Sequence, residues 1–107
     1  MTGTYIQRGD VIDYTNSGSA AIAVGEVVTL ATRIGVASAP IAVGTTGALH
    51  VAGVFELTKK ASEAITLGAA VYYTADGITA TAGDNVPAGW AVEAAAASGS
   101  TVKVKIG

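Results

Sequence analysis

Hydrophobic and polar positions alternate with period two from Gly47 to Lys59. Leu49, Val51, Gly53, Phe55 and Leu57 fall on one side, and His50, Ala52, Val54, Glu56 and Thr58 stand between them. This spacing predicts one long strand with a face turned to a core. Gly53 interrupts the apolar side, where a bulge or a close crossing is the usual cause. Thr101 to Ile106 alternates as cleanly: Val102, Val104 and Ile106 point inward, Lys103 and Lys105 outward. Lysines on a terminal strand also discourage edge-to-edge pairing.

A second pattern recurs. Ala21-Ile22-Ala23-Val24-Gly25-Glu26-Val27-Val28 returns 43 positions later as Ala64-Ile65-Thr66-Leu67-Gly68-Ala69-Ala70-Val71. The shared form is Ala-Ile-x-(Val/Leu)-Gly-x-x-Val. Each glycine would turn the chain into a strand, Val27 to Thr32 in one copy and Ala70 to Thr74 in the other. A turn and a second strand follow each, Ile34 to Ser38 and Ile78 to Thr81. A longer strand then closes each half, Ala48 to Thr58 and Gly89 to Ala95. The identity is slight, so duplication is only a suggestion, and the repeated local design is the firmer reading.

Between the halves, Lys59 to Glu63 lacks alternation and has helix-forming content, enough for one capping turn near 59–64. Asp76-Gly77 makes a good hairpin turn, because glycine reaches positive φ without steric cost. Asn16 to Ser19 and Gly83 to Asn85 are loops by composition, and Ala94 to Ala97 is a strand end running into another loop. Val51, Val54, Phe55, Leu57, Val71 and Trp90 supply most of the large side chains for a core. Eight or nine short strands at this spacing predict an all-β chain, a small barrel or sandwich. At 107 residues it reads as one domain over 1–107, with residues 1–8 as a leading arm.

Composition changes the picture in one respect. Only 13% of residues are charged, about half the roughly 25% usual for soluble domains, and the apolar half is mostly Ala and Val. The surface is therefore built from Ala, Gly, Ser and Thr, which desolvate cheaply against a neighbour. A net charge of −2 gives none of the basic footprint that duplex nucleic acid demands. Met1-Thr2-Gly3-Thr4 shows no secretory signal, and no apolar run approaches the ~20 residues that span a bilayer. These features predict a soluble protein made in the cytoplasm, with no nucleic-acid or membrane partner.

Chemistry is sparse. With one histidine, His50, and no cysteine, a transition-metal site lacks ligands, and His50 in its strand reads as a polar residue facing outward or toward a partner. There is no cysteine nucleophile, no Gly-x-Ser-x-Gly elbow and no phosphate-binding loop. Asp10 with Asp13, and Glu56 with Glu63, are the available carboxylate pairs, at spacings typical of solvated turns. Arg8-Gly9-Asp10 is first of all a common turn sequence. Tyr5, Tyr14, Tyr72 or Tyr73, and Trp90 could serve a carbohydrate-binding or adhesive β module. The expectation is no enzyme, no metal and no cofactor.

Several segments together resemble one family. They are Tyr5 to Thr15, Ile34 to Ala37, Val51 to Leu57 followed by lysine, Ala64 to Tyr73, and Ala91 to Ala96. In that order they are similar to the phage capsid cement family (DUF2190) over essentially the whole chain. The chain departs from the family's pattern at Leu57-Thr58-Lys59, where Leu-Pro-Lys is common, and at Tyr73, where Trp is common. In size and glycine content it is also similar to the lambdoid head decoration protein, a β-clip fold, by analogy of role only.

The resemblance implies a virion protein of tailed phages or prophages. Such a protein would bind the outer surface of the assembled capsid and cement neighbouring major capsid subunits. It implies a homo-oligomer, trimer or dimer, on the major capsid protein lattice. Within the mobile leading arm, Tyr5 and Arg8 are the expected capsid contacts.

Overall fold

A computed structural model describes residues 1–107. Nine strands follow one another without a helix: β1 (Val11–Thr15), β2 (Val27–Thr29), β3 (Ile34–Ala37), β4 (Thr46–His50), β5 (Val54–Thr58), β6 (Ala70–Thr74), β7 (Gly77–Thr79), β8 (Val86–Ala91) and β9 (Thr101–Lys105). They form two antiparallel sheets, β1-β4-β3-β2 and β5-β9-β8-β6-β7. The all-β expectation holds.

The long strand expected from Gly47 to Lys59 is in fact two strands in two sheets. β4 ends at His50, and β5 begins at Val54. Between them Gly53 takes φ 113°, which only glycine adopts easily, and its carbonyl accepts the Ile106 N–H at 3.0 Å. Unbroken alternation on both sides of a corner cannot reveal the corner, because each piece separately satisfies the period.

The two sheets repeat one design. β1, β4, β3 and β2 correspond in order to β5, β9, β8 and β6, with β7 as an addition. The element that generates this is the turn found in the sequence. Ala23 to Glu26 is closed by Glu26 N–H to Ala23 O at 3.1 Å, and Thr66 to Ala69 by Ala69 N–H to Thr66 O at 3.1 Å. Gly25 and Gly68 sit at φ 79° and 86°, the third position of a type II turn. Each glycine then donates across to a strand, Gly25 to Ala37 O at 2.8 Å and Gly68 to Ala91 O at 2.7 Å. The same turn occurs a third time at Ala42 to Thr45, with Gly44 at φ 78°. Ile41-Ala42-Val43-Gly44 repeats Ile22-Ala23-Val24-Gly25 letter for letter, the signal by which this copy could have been found.

Packing follows the repeat. Ile22 bridges Ile41, and with Val28, Ala37 and Leu49 these make a first buried cluster. Ile65 bridges Ala95 in the same way and joins Leu57, Val71, Ala91, Val102 and Val104 in a larger second one. Ile34 and Val36 of β3 also enter the second cluster, while Ala37 enters the first. β3 is thus buried along its whole length and ties the two sheets together. The second half closes differently from the sequence reading. Its closing strand is β9, which lies between β5 and β8, so Lys103 and Lys105 stand on a sheet face rather than at an edge.

Of the expected core residues, Leu57 and Val71 are buried, and Val51 and Phe55 pack at the margins of the clusters. Val54 and Trp90 are not core: they are 54% and 44% exposed. Register explains this, since Val54, Lys105, Trp90 and Ala70 lie in one row across the outer face of the second sheet. Nor does Lys59 to Glu63 form a helical turn. Lys59 instead bridges Ile78, and Ser62 takes φ 62°.

Candidate functional site

Lys59 shows what the titratable groups do here. It is only 3% exposed, and its ammonium donates to the carbonyls of Lys60, Glu63 and Ala97 at 3.0, 2.6 and 3.3 Å. The Glu63 carboxylate accepts from the Thr79 hydroxyl at 2.7 and 2.8 Å and from Ala80 N–H at 3.2 Å. Both are structural ties, and nothing in the Lys59-Lys60 pair marks the first as buried and the second as exposed. Glu56 stands away from this knot on the exposed face of β5, opposite Lys103. Asp13 is exposed on β1, and Asp10 meets Arg8 at 3.8 Å in a solvated pair worth little.

His50 is half-buried on β4, its ring 5.8 Å from that of Phe55 at a tilt of 42°. No three His, Asp or Glu side chains gather as a metal-binding group. The aromatic residues are dispersed. Tyr14 packs on the first cluster, Tyr73 on the second, and Tyr5 lies in the leading arm. Tyr72, two residues after Ala70, shares with Trp90 the outer face of the second sheet.

What the surface offers instead is contact area. The accessible area is 6467 Å², against the roughly 5,400 Å² that monomer scaling gives for 10.5 kDa. Part of the excess is the arm. Residues 1–10 are exposed and lie outside every strand, with Tyr5 at 80% and Ile6 at 81% exposure. Part is the repeated turn, which sets Val24, Val43 and Leu67 at its exposed tip in all three copies. A further feature is a cleft of about 380 Å³ between Gly25 to Val27 at the β2 edge and the Tyr73 to Ile78 hairpin, with Glu56 to Thr58 beside it.

The fold and surface define a small all-β structural module whose exposed features are apolar tips, open strand edges and a free arm. A family model described as phage cement protein matches residues 6–106, and the chain belongs to that family. This is the family resembled by the segments from Tyr5 to Ala96, and it carries a structural, capsid-associated role. The match begins at Ile6, so it includes Arg8 and leaves Tyr5 just outside. No curated protein and no solved structure matches the chain.

Proposed function

We propose that this chain binds the outer surface of the assembled phage capsid and cements neighbouring major capsid subunits without catalysing a reaction. The observation that carries this reading is the family match over residues 6–106. The surface supports it physically. Apolar turn tips and a low charge density lower the cost of desolvation when the module is pressed against a shell.

The partners in this reading are the major capsid protein lattice and further copies of the chain, as a closed trimer or dimer suited to a symmetric shell. Nucleic acid and membrane are not among them. Synthesis is in the host cytoplasm, and the final location is the virion surface. Tyr5 and Arg8 of the arm contribute to the contact, because an exposed segment can reach a neighbour.

The composite nature of the site makes the reading testable. Its halves lie on different capsid subunits, so isolated subunits lose the second contact and an avidity gain of about 10²–10⁴. Co-sedimentation with cement-free expanded capsids, compared with binding to capsid monomers at matched subunit concentration, is expected to show strong preference for the shell. Equal affinity for both, or no binding to the shell, overturns the proposal.

A further inference from the structure

β2 is an open edge of the first sheet. Its bonds to β3 are fixed by Ala37 N–H to Glu26 O at 3.0 Å and Leu30 N–H to Arg33 O at 2.7 Å. By the antiparallel alternation, Val27 and Thr29 then turn their N–H and C=O groups away from β3. The cleft opens at the start of this edge, where Val27 and the preceding Gly25 and Glu26 line it. Glu26, Glu56 and Asp76 bring three carboxylates to its lining, and none of them forms a salt bridge, the lysine opposite Glu56, Lys103, being paired with Glu93. Val27 and Tyr73, with Leu57, Ala75 and Ile78, form its apolar part.

The arm is complementary in chemistry. Arg8 is the only charged side chain from Met1 to Gly9, and Ile6 is exposed. In an extended segment Ile6 and Arg8 point to the same side, with Tyr5 and Gln7 on the other. The arm leaves the first sheet at β1, the edge opposite β2. To reach its own β2 it would have to double back across three strand spacings, about 14 Å. Donation from one copy's β1 edge to the next copy's β2 edge is instead a head-to-tail contact, which forms a ring where the rotation between copies closes.

We propose that the arm of a second copy of this chain adds a strand to β2, with Ile6 against Tyr73 and Val27 and Arg8 among the three carboxylates of the cleft. The inference rests on the oligomeric cement reading and refines it. In this arrangement Arg8 contacts the neighbouring copy in place of the shell, and Tyr5, on the opposite side of the same strand, keeps the shell contact. Backbone pairing supplies affinity and the charged residue fixes the register.

The chain has no cysteine, so single substitutions give an unambiguous cross-linking test. Ile6→Cys protein is mixed with Ala75→Cys protein, whose substitution lies in the cleft wall, or with Asp13→Cys protein, whose substitution lies at the rival β1 edge. Only contact between copies can join two single variants. Oxidation is expected to give a disulfide-linked pair with Ala75→Cys and not with Asp13→Cys. Linkage to Asp13→Cys alone, or to neither, overturns the proposal. In the otherwise unaltered chain, Arg8→Glu is expected to weaken self-association by about tenfold or more, and adding Glu26→Arg to restore it. Sedimentation velocity reads the association, and far-UV circular dichroism checks the fold of each variant. An Arg8→Glu variant that associates like the parent also overturns the arm contact. Shell co-sedimentation of the same proteins reports separately on cementing, so failure of one reading is distinguishable from failure of the other.

Discussion

Lys59 and Ile78 form a parallel bridge, and this contact brings the end of β5 against β7, the far strand of the same sheet. Lys60 N–H donates to Ile78 O at 2.9 Å at the same place. The second sheet therefore curls toward a barrel, while the first remains open at β1 and β2. That asymmetry leaves one half of the molecule to close on itself and the other with edges to offer.

The closure depends on close backbone approach. A Cβ on Gly77 would stand 2.8 Å from Lys59 C and Lys60 N, and Gly77 has φ 129°. Gly77→Ala combines that clash with backbone strain of about 1–3 kcal/mol. The expected result is a lower urea midpoint together with faster hydrogen exchange of the Lys60 amide. Unchanged exchange at Lys60 would show that the closure does not need this glycine.

The buried ammonium of Lys59 satisfies three carbonyls at once. Lys59→Met keeps most of the volume but leaves those acceptors without their donor, at about 1–3 kcal/mol for each group that water cannot reach. Chemical denaturation should show a loss of at least ~2 kcal/mol, whereas Lys60→Met, at an exposed position, should change stability by under about 0.5 kcal/mol. Equal effects from the two variants would contradict the buried role of Lys59.

Phe55 and Trp90 should separate in the direction opposite to their size. Phe55 packs on the second cluster and against His50, so Phe55→Ala should cost about 2–4 kcal/mol, toward the lower part of the range for buried aromatics. Trp90 stands on the outer face, and Trp90→Ser should cost less than about 1 kcal/mol. Thermal denaturation of the two variants gives the comparison, and a larger loss at Trp90 would reverse the assigned faces of β8.

The turn tips offer a test of the binding surface. Val24→Ser, Val43→Ser and Leu67→Ser remove exposed side chains, and each should leave stability within about 0.5 kcal/mol of the parent. If the tips contribute to the docked surface, the triple variant should co-sediment less with expanded capsids. Binding of the parent should persist in 1 M salt, where the Debye length is about 3 Å, because apolar contacts are not screened. Loss of binding on adding salt would assign the contact to charge instead.

The sequence by itself determined the class of elements and their local design. Alternation in Thr101 to Ile106 is reproduced residue by residue, with Val102, Val104 and Ile106 buried. Ile22-x-x-Gly25 and Ile65-x-x-Gly68 set the turns because positive φ at the third turn position is a local requirement that glycine meets. The segments resembling the cement family were likewise legible as linear patterns. Tertiary structure alone decided where the chain changes sheet, because His50 and Val54 each obey the same period on either side of Gly53. It also decided that Trp90 faces out and Lys59 faces in, since side-chain facing depends on which strand lies opposite and on the bulge between Val71 and Tyr72. The open β2 edge comes from the strand order of the first sheet, and the cleft from the two sheets meeting. Glu26, Glu56 and Asp76 are far apart in sequence, and only packing places them on one rim.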